Sequence, residues 1–299
     1  MGWLRVSRIA QIAILCNIPF GLANADWTQG QRIMMKRFAD PWGRGIIPFI
    51  SPRAVKYGIR QALRERGYEI DPFQLRDVQG NIRSLDTGDP IKYVDNDLFG
   101  FMAAEEKGKQ ARRRQGPVAI GYLTSVKPLP DISTDLGLRS PRSPDQPPMI
   151  TETEVATFPA KLRAAVYDYV GVWEGTEGEV KKGEKFIDDK ERRRRIHDLL
   201  DILLTPSYVL PRRSSSLAIL EYIAALVSLS SNGVRPIYQY LSLDDRGEVD
   251  SHSLSKLKNS SIGWGEIFMI EYDRPLPNTF PAVSSREAVE RITNFLHGE

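Results

Sequence analysis

From Ile9 to Phe20 the chain is apolar with few interruptions, and Ile12 and Ile14 alternate with Ala13 and Leu15. An extended segment apolar on both faces belongs in the middle of a sheet covered on both sides. Residues 21–50, rich in Gly, Pro and basic side chains, read as an irregular loop. A helix over 51–66 then starts cleanly: Ser51 can cap it, Pro52 fits its first position and Gly67 stops it. Val55, Ile59 and Ala62 fall on one side of that helix, with Leu63 at the border. Residues 68–100 are acidic and turn-rich (Gly80-Asn81, Thr87-Gly88-Asp89-Pro90), the mark of an excursion from the main sheet. Val118, Ile120, Tyr122, Thr124 and Val126 alternate with smaller residues and predict a strand. Residues 128–160 hold seven prolines and few apolar residues before Ile150, so they read as a long projecting loop or loose hairpin. A strand is expected over Ala165–Trp173 and a helix over about 188–204, ended by Pro206. Residues 217–229 and 236–243 read as extended, although the former is also long enough for a helix. Glu266–Tyr272 predicts a last strand and 284–297 a terminal helix. The order strand, helix, strand, strand, helix, strand is an α+β plan of the split βαβ type.

Composition narrows the chemistry. The 299 residues carry 41 Lys+Arg against 38 Asp+Glu and a single cysteine, Cys16. One cysteine excludes an intramolecular disulfide framework and a Cys-rich zinc site. His197, His252 and His297 lie too far apart for a familiar metal-ligand spacing, which argues against a conventional metalloenzyme. No phosphate-binding glycine motif occurs. Arg5, Arg8 and the apolar run before Ala23-Asn24-Ala25 also fit a secretory signal peptide. Gln11, Asn17 and Pro19 break that run, and the strand reading is preferred. No stretch approaches the ~20 apolar residues of a membrane span.

The net charge of +3 conceals an uneven distribution. Residues 1–66 hold eleven Lys/Arg and three Asp/Glu, leaving the remainder at −5. Residues 101–130 and 181–195 are again basic, whereas 67–100 and 151–180 are each net −4. On the helix at 51–66, Arg53, Lys56, Arg60 and Arg64 fall within about 80° of one another. Like charges four residues apart cost a few tenths of a kcal/mol each unless something neutralises them, and only Glu65 is near in sequence. The stripe makes sense with a polyanion lying along it. Bulk water alone would also solvate it.

Three motifs carry a resemblance to the backbone subunit of class 1 (type I) CRISPR effector complexes, the Cas-seven superfamily, in its DevR-type branch. Ile50-Ser51-Pro52-Arg53-Ala54-Val55-Lys56-Tyr57-Gly58-Ile59-Arg60 is similar to the family's serine-started basic helix. Asp95-Asn96-Asp97-Leu98-Phe99-Gly100-Phe101-Met102 resembles its D-x-D-L-F-G-x-M element. Strand 117–126, the long loop and strand 165–173 match its strand–thumb–strand passage.

The resemblance implies an RRM-like (ferredoxin-like) palm, with its first half at 1–66, one strand at 117–127 and the rest at 161–299. It also implies a finger insertion at 67–116 and a thumb loop at 128–160. It implies a cytoplasmic, non-catalytic, RNA-binding ribonucleoprotein component of antiviral defence, with no cofactor, metal or membrane. Copies would polymerise as a helical filament along a guide crRNA and present it for pairing with target DNA. Its other partners would be Cascade subunits: a five-prime-handle-capping subunit, a large subunit and a guide-processing endonuclease. The RNA-binding residues expected are Lys36, Arg37, Ser51, Arg53, Lys56, Arg60, Arg112, Arg113, Arg114, Arg212 and Arg213. Ile132, Leu136 and Leu138 are expected as the thumb's wedge between nucleotides. The superfamily's target-RNA-cleaving branch uses a loop aspartate, for which Asp26 and Asp40 stand in the comparable place. A DNA-binding transcriptional regulator is the third reading.

Overall fold

The computed structural model describes residues 7–21, 25–29, 32–72, 74–78, 81–103, 112–139, 147, 149–173, 183–205, 220–272 and 274–298. The chain begins with β1 (Ile9–Gly21), β2 (Ala25–Gln29), β3 (Arg32–Met35), β4 (Arg37–Ala39), β5 (Ile46–Ile50) and α1 (Pro52–Glu65). It continues through β6 (Gln74–Val78), β7 (Asn81–Leu85), α2 (Val94–Phe99), β8 (Gly100–Ala103) and β9 (Arg112–Gln115). Next come β10 (Val118–Ile120), β11 (Leu123–Ser125), β12 (Ser133–Arg139), β13 (Met149–Tyr167) and α3 (Asp189–Leu204). The last elements are β14 (Glu221–Ser230), α4 (Ser251–Ser260), β15 (Glu266–Glu271), β16 (Ala282–Val283) and α5 (Ser285–His297).

The main sheet runs β16-β15-β14-β1-β13-β11-β5-β4, with β10 also paired to β13. β1 lies between two antiparallel partners, Ile12 facing Ala164 of β13 and Val227 of β14. The apolar run at 9–20 is therefore the central strand, as its two apolar faces require. Ala10, Ile12, Ile14, Cys16 and Ile18 face a core shared with α1, α3 and α5. Ala13 and Leu15 face a second core under α4, with Leu241, Leu254 and Leu257. The strands β1, β10/β11, β13 and β14 together with α1 and α3 follow the βαββαβ order, and the first strand is central among them. The mixed α+β class expected from the sequence is what the chain adopts.

Several local expectations are corrected. Residues 21–50 are not irregular: they hold β2 to β5, whose backbone groups find ladder partners in one another, in β13 and in β11. Of the two readings of 128–160, the structure takes the hairpin, with Ser133–Arg139 antiparallel to Met149–Val155. The prolines at 141, 144, 147 and 148 fall in the sequence between the paired stretches and are not among the paired residues. Its second strand continues unbroken to Tyr167, which places the expected start of a strand at 165 deep inside β13. The strand at 117–126 is interrupted at Gly121-Tyr122, and 236–243 contains one short 3-10 turn at Tyr238–Tyr240 in place of a strand. Residues 217–229 resolve as a strand from Glu221. Helix α4 was hidden by its polar sequence, since only Leu254 and Leu257 are buried; Asp250 caps it, accepting from the His252 and Ser253 amides.

Two of the four arginines at 192–195 turn inward. Arg192 donates to the carbonyls of Asp168, Val170, Leu296 and His297, satisfying orphan acceptors at the end of α5. Among the described residues no helix is long and apolar enough to cross a membrane.

Candidate nucleic-acid interface

Helix α1 begins as its sequence dictates: the Ser51 side chain accepts from the Ala54 amide, Pro52 occupies the first turn, and that turn carries no acidic residue. Gly67, at φ +87°, follows the last turn, a backbone conformation that glycine adopts without strain. The apolar side, Val55, Ile59, Ala62 and Leu63, is buried. The basic stripe divides. Arg53 and Arg64 are exposed, and Lys56 is half-buried with Nζ 5.0 Å from the centre of the Phe99 ring. Partial burial, with Arg60 nearby, lowers the Lys56 pKa. Arg60 is tied down: its Nε donates to the buried Asp95 carboxylate at 2.8 Å, and its guanidinium lies 5.1 Å from the same Phe99 ring. Part of the stripe's charge is thus neutralised by an acid 35 residues away, which sequence neighbours do not reveal.

That acid belongs to Asp95-Asn96-Asp97-Leu98-Phe99-Gly100, which forms a buried polar knot. Asp95 also accepts from the Asp71 amide, and Asn96 donates to Asp71 and Thr87. Asp97 accepts from Arg114 at 2.7 Å, from Arg195 at 3.0 Å and from the Gly171 amide at 3.0 Å. Gly100 has φ +77°, and a Cβ there would sit 2.3 Å from the Arg114 carbonyl. One short segment therefore binds α1, β9, the turn after β13 and α3 to one another. These bonds hold α2 and β9 against α1, α3 and the turn after β13, and keep Phe99 beside the α1 cations.

The remaining expected contacts separate by exposure. Arg112 and Arg113 are exposed on β9. Arg114 is a correction: buried, it also donates to the carbonyls of Val172 and Tyr169 and has no surface to offer a phosphate. Lys36 is half-buried between β3 and β4. Arg37, with Arg32, donates to Glu154, a fully buried carboxylate on β13 that also accepts from the Met35 amide at 2.8 Å. Arg212 and Arg213 lie outside the described residues.

On the hairpin, Ile132 is 8% exposed and packs into the core, so it is corrected from wedge to anchor. Leu136 and Leu138 are 69% and 78% exposed. With Ile150, which faces Leu138 across the ladder, they form an apolar patch towards the hairpin's end. Of the two loop aspartates, Asp26 stands in β2. Asp40 is wrapped by Arg44, accepting from its backbone amide, Nε and Nη2, and these bonds hold its carboxyl below the usual carboxylate range.

Residues 42–232 match the family model described as CRISPR-associated negative auto-regulator DevR/Csa2. The chain belongs to this family. The matched stretch of this DevR/Csa2 protein takes in α1, the buried knot and the hairpin. Two solved chains share its fold, both at TM-score 0.58. One, from a "CRISPR RNA-guided surveillance complex", is 13% identical, with 95% of this chain and 98% of that chain covered. The other, from a "CRISPR RNA-guided surveillance complex, pre-nicking", is 12% identical, with 95% and 99% covered. No curated protein sequence matches.

Sequence reasoning quoted Asp95 only within its motif, without its tie to Arg60, and missed Glu154, because a lone carboxylate in a polar stretch looks like a solvated one. It also missed Lys161, whose ammonium donates to the Tyr238 and Leu241 carbonyls on the second face of the sheet. Burial lowers its pKa from 10.5 to about 8. A lysine depressed in the folded state binds fewer protons there than when unfolded between those two values, so stability should rise with pH across that window. Urea midpoints measured from pH 7 to 10.5 should therefore climb more steeply in the native protein than in Lys161→Met. Parallel profiles would show that Lys161 stays charged throughout.

Proposed function

We propose that this chain is a non-catalytic, guide-RNA-binding backbone subunit of a Cascade-like CRISPR surveillance complex. Copies polymerise along a crRNA, cytoplasmically and beside the capping, large-subunit and guide-processing partners, and present the guide for pairing with target DNA. The observation that carries the reading is the α1 surface: Ser51, Arg53, Lys56 and Arg64 open to one side of a helix that Phe99 and the Asp95–Arg60 pair fix in place. Arg112, Arg113 and Lys36 add positive charge elsewhere on the surface. Cations at intervals hold a ribose-phosphate strand by its backbone and leave its base edges free to read sequence. The family's membership and the fold shared with chains of surveillance complexes support this assignment.

The chain is organised as a palm, with a finger insertion at 67–116 and a thumb at 128–160. The apolar tip of the thumb, Leu136 and Leu138, wedges against the strand or the next copy. Leu136→Ser with Leu138→Ser should leave the melting temperature within about 2 °C, since exposed positions carry little stability, yet shorten the assemblies seen by sedimentation. Assemblies of native length would make the tip passive.

The assignment is tested by the ratio of absorbance at 260 to 280 nm of the purified protein and by sequencing the RNA that accompanies it. CRISPR-derived guides are expected. Failure of the chain and of its assembly to bind any ribonucleotide oligomer at low ionic strength would overturn it. The description "negative auto-regulator" favours one second reading, a DNA-binding regulator, whose signature would be sequence-specific duplex binding by RNA-free protein. The nuclease reading loses support from Asp40, whose carboxylate Arg44 occupies on both oxygens.

A further inference from the structure

Among the described residues, the second face of the main sheet is covered only in part. Residues around α4 and the turn at Tyr238–Tyr240 cover it over β1, β14 and β15, and the cover reaches β13 through Lys161 and through the Tyr238 hydroxyl, which donates to the Ala164 carbonyl. Beyond β13 stands a group of aromatic rings. Phe38 lies flat on Phe49, centroids 4.2 Å apart and planes at 15°. Tyr122 stands edge-on to both, at 5.2 Å from Phe49 and 6.0 Å from Phe38. Phe49 is nearly buried, whereas Phe38 and Tyr122 are 47% and 48% exposed. The surface Phe38 shows is thus the ring face turned away from Phe49.

A bulge produces this arrangement. Ile120 faces Ala164 and Thr124 faces Lys161, so three residues of one strand oppose two of the other. Ile120 and Leu123 both point to the helix side. The extra residue turns Gly121 and Tyr122 both to the second face. The Gly121 amide is satisfied by the Arg163 carbonyl, and the absence of a Cβ there leaves room for the Arg163 side chain. Bulges of this kind re-aim side chains next to functional sites.

The charge around the rings has one sign. Strands β4, β5, β10 and β11, and residues 156–167 of β13, contain no acidic residue; the cations beside the rings are Arg163 and the adjoining Lys36, since Arg37 is held by Glu154 on the other face and Lys161 by the Tyr238 and Leu241 carbonyls. Arg163 is exposed. Exposed π faces beside an exposed Arg163 and a half-buried Lys36 fit unpaired bases of a polyanion better than an apolar protein surface.

We propose that Phe38 and Tyr122, flanked by Lys36 and Arg163, form a stacking surface for unpaired nucleobases of a single-stranded nucleic acid, separate from the phosphate-holding helix α1. The inference rests on the nucleic-acid reading above but fails independently of it, because stacking needs bases and the α1 contact needs only phosphates. The full-length, RNA-free protein is titrated with fluorescent oligouridylate of about ten nucleotides and with an abasic ribose-phosphate chain of equal length. Oligothymidylate and its abasic counterpart form a DNA arm.

The native chain is expected to prefer the base-bearing oligomer roughly 10-fold, about 1.4 kcal/mol. Tyr122→Ala and Tyr122→Leu should abolish most of that preference, with Tyr122→Phe retaining it. Lys56→Ala should weaken both oligomers alike and leave the preference unchanged. A base preference confined to the RNA arm identifies the guide as the occupant; one in the DNA arm identifies a captured strand. Equal affinity of the native chain for base-bearing and abasic oligomers overturns the stacking surface while sparing the α1 reading. So does an unchanged preference in Tyr122→Leu, and, if that variant also loses self-association in sedimentation, the rings are an interface between copies. Failure of every oligomer to bind overturns both.

Discussion

Asp97→Ala should cost about 3–5 kcal/mol, a large share of the ~5–15 kcal/mol that holds a typical domain together. Asp97 is fully buried and neutralises two arginines, Arg114 and Arg195, whose side chains are themselves 1% and 4% exposed. Desolvating a guanidinium is expensive, and its partner's removal leaves that cost without compensation. Arg195 keeps Glu191 at 3.0 Å, but the acceptors left to Arg114 among the described residues are carbonyls. Because Asp97 joins β9, α3 and the Gly171 turn, the loss should be felt as a lower urea midpoint for the whole chain. A shift below about 1 kcal/mol would mean that the arginines find other anions and that the knot is not what binds β9 to α3 and the Gly171 turn.

Guide binding by Arg53→Ala with Lys56→Ala should weaken for every guide sequence tested, and the dependence of log affinity on log salt should flatten by about 1.4, the value for two lost phosphate contacts on a single strand. Arg60→Ala is expected to behave differently. It leaves Asp95 buried without its cation, so its main effect should fall on stability, with the salt slope altered little. Measured slopes that are the same in the native protein and in the double variant would remove α1 from the interface.

Several features could be read directly from residues. Ile12, Ala13, Ile14 and Leu15 specify a central strand because no exposed or edge strand could hide both faces. Ser51, Pro52 and Gly67 bracket α1 because each relieves a backbone constraint at its own position. The 3.6-residue spacing of Val55, Ile59 and Ala62 fixes which side faces the core, and with it the side on which Arg53 and Lys56 emerge. These are local rules, satisfied within a few residues of chain.

Other features depended on distant partners. Arg114 reads like Arg112 and Arg113, yet it stands opposite Phe101, where Asp97 and the turn after β13 reach it, whereas Arg112 lies two residues further out on the same face. Ile132 reads like Leu136 and Leu138, but it lies at the base of the hairpin, where the core reaches it. The segment at 128–160 reads as a loop or a loose hairpin, and only the pairing of Ser133–Arg139 with Met149–Val155 decides for the hairpin. Tyr122 was taken as one residue in a regular alternation, and only the two-against-three register with β13 shows that it faces away from the helices.

The sequence by itself determined the central strand, the capped basic helix and the α+β order, since periodicity and end-capping act over a turn or two of chain. Only the tertiary structure decided which cations remain available to a ligand. Whether an arginine meets water or a buried carboxylate depends on residues 35 or 98 positions away, as with Arg60–Asp95 and Asp97–Arg195, and burial makes those charges bind one another before they can bind anything else.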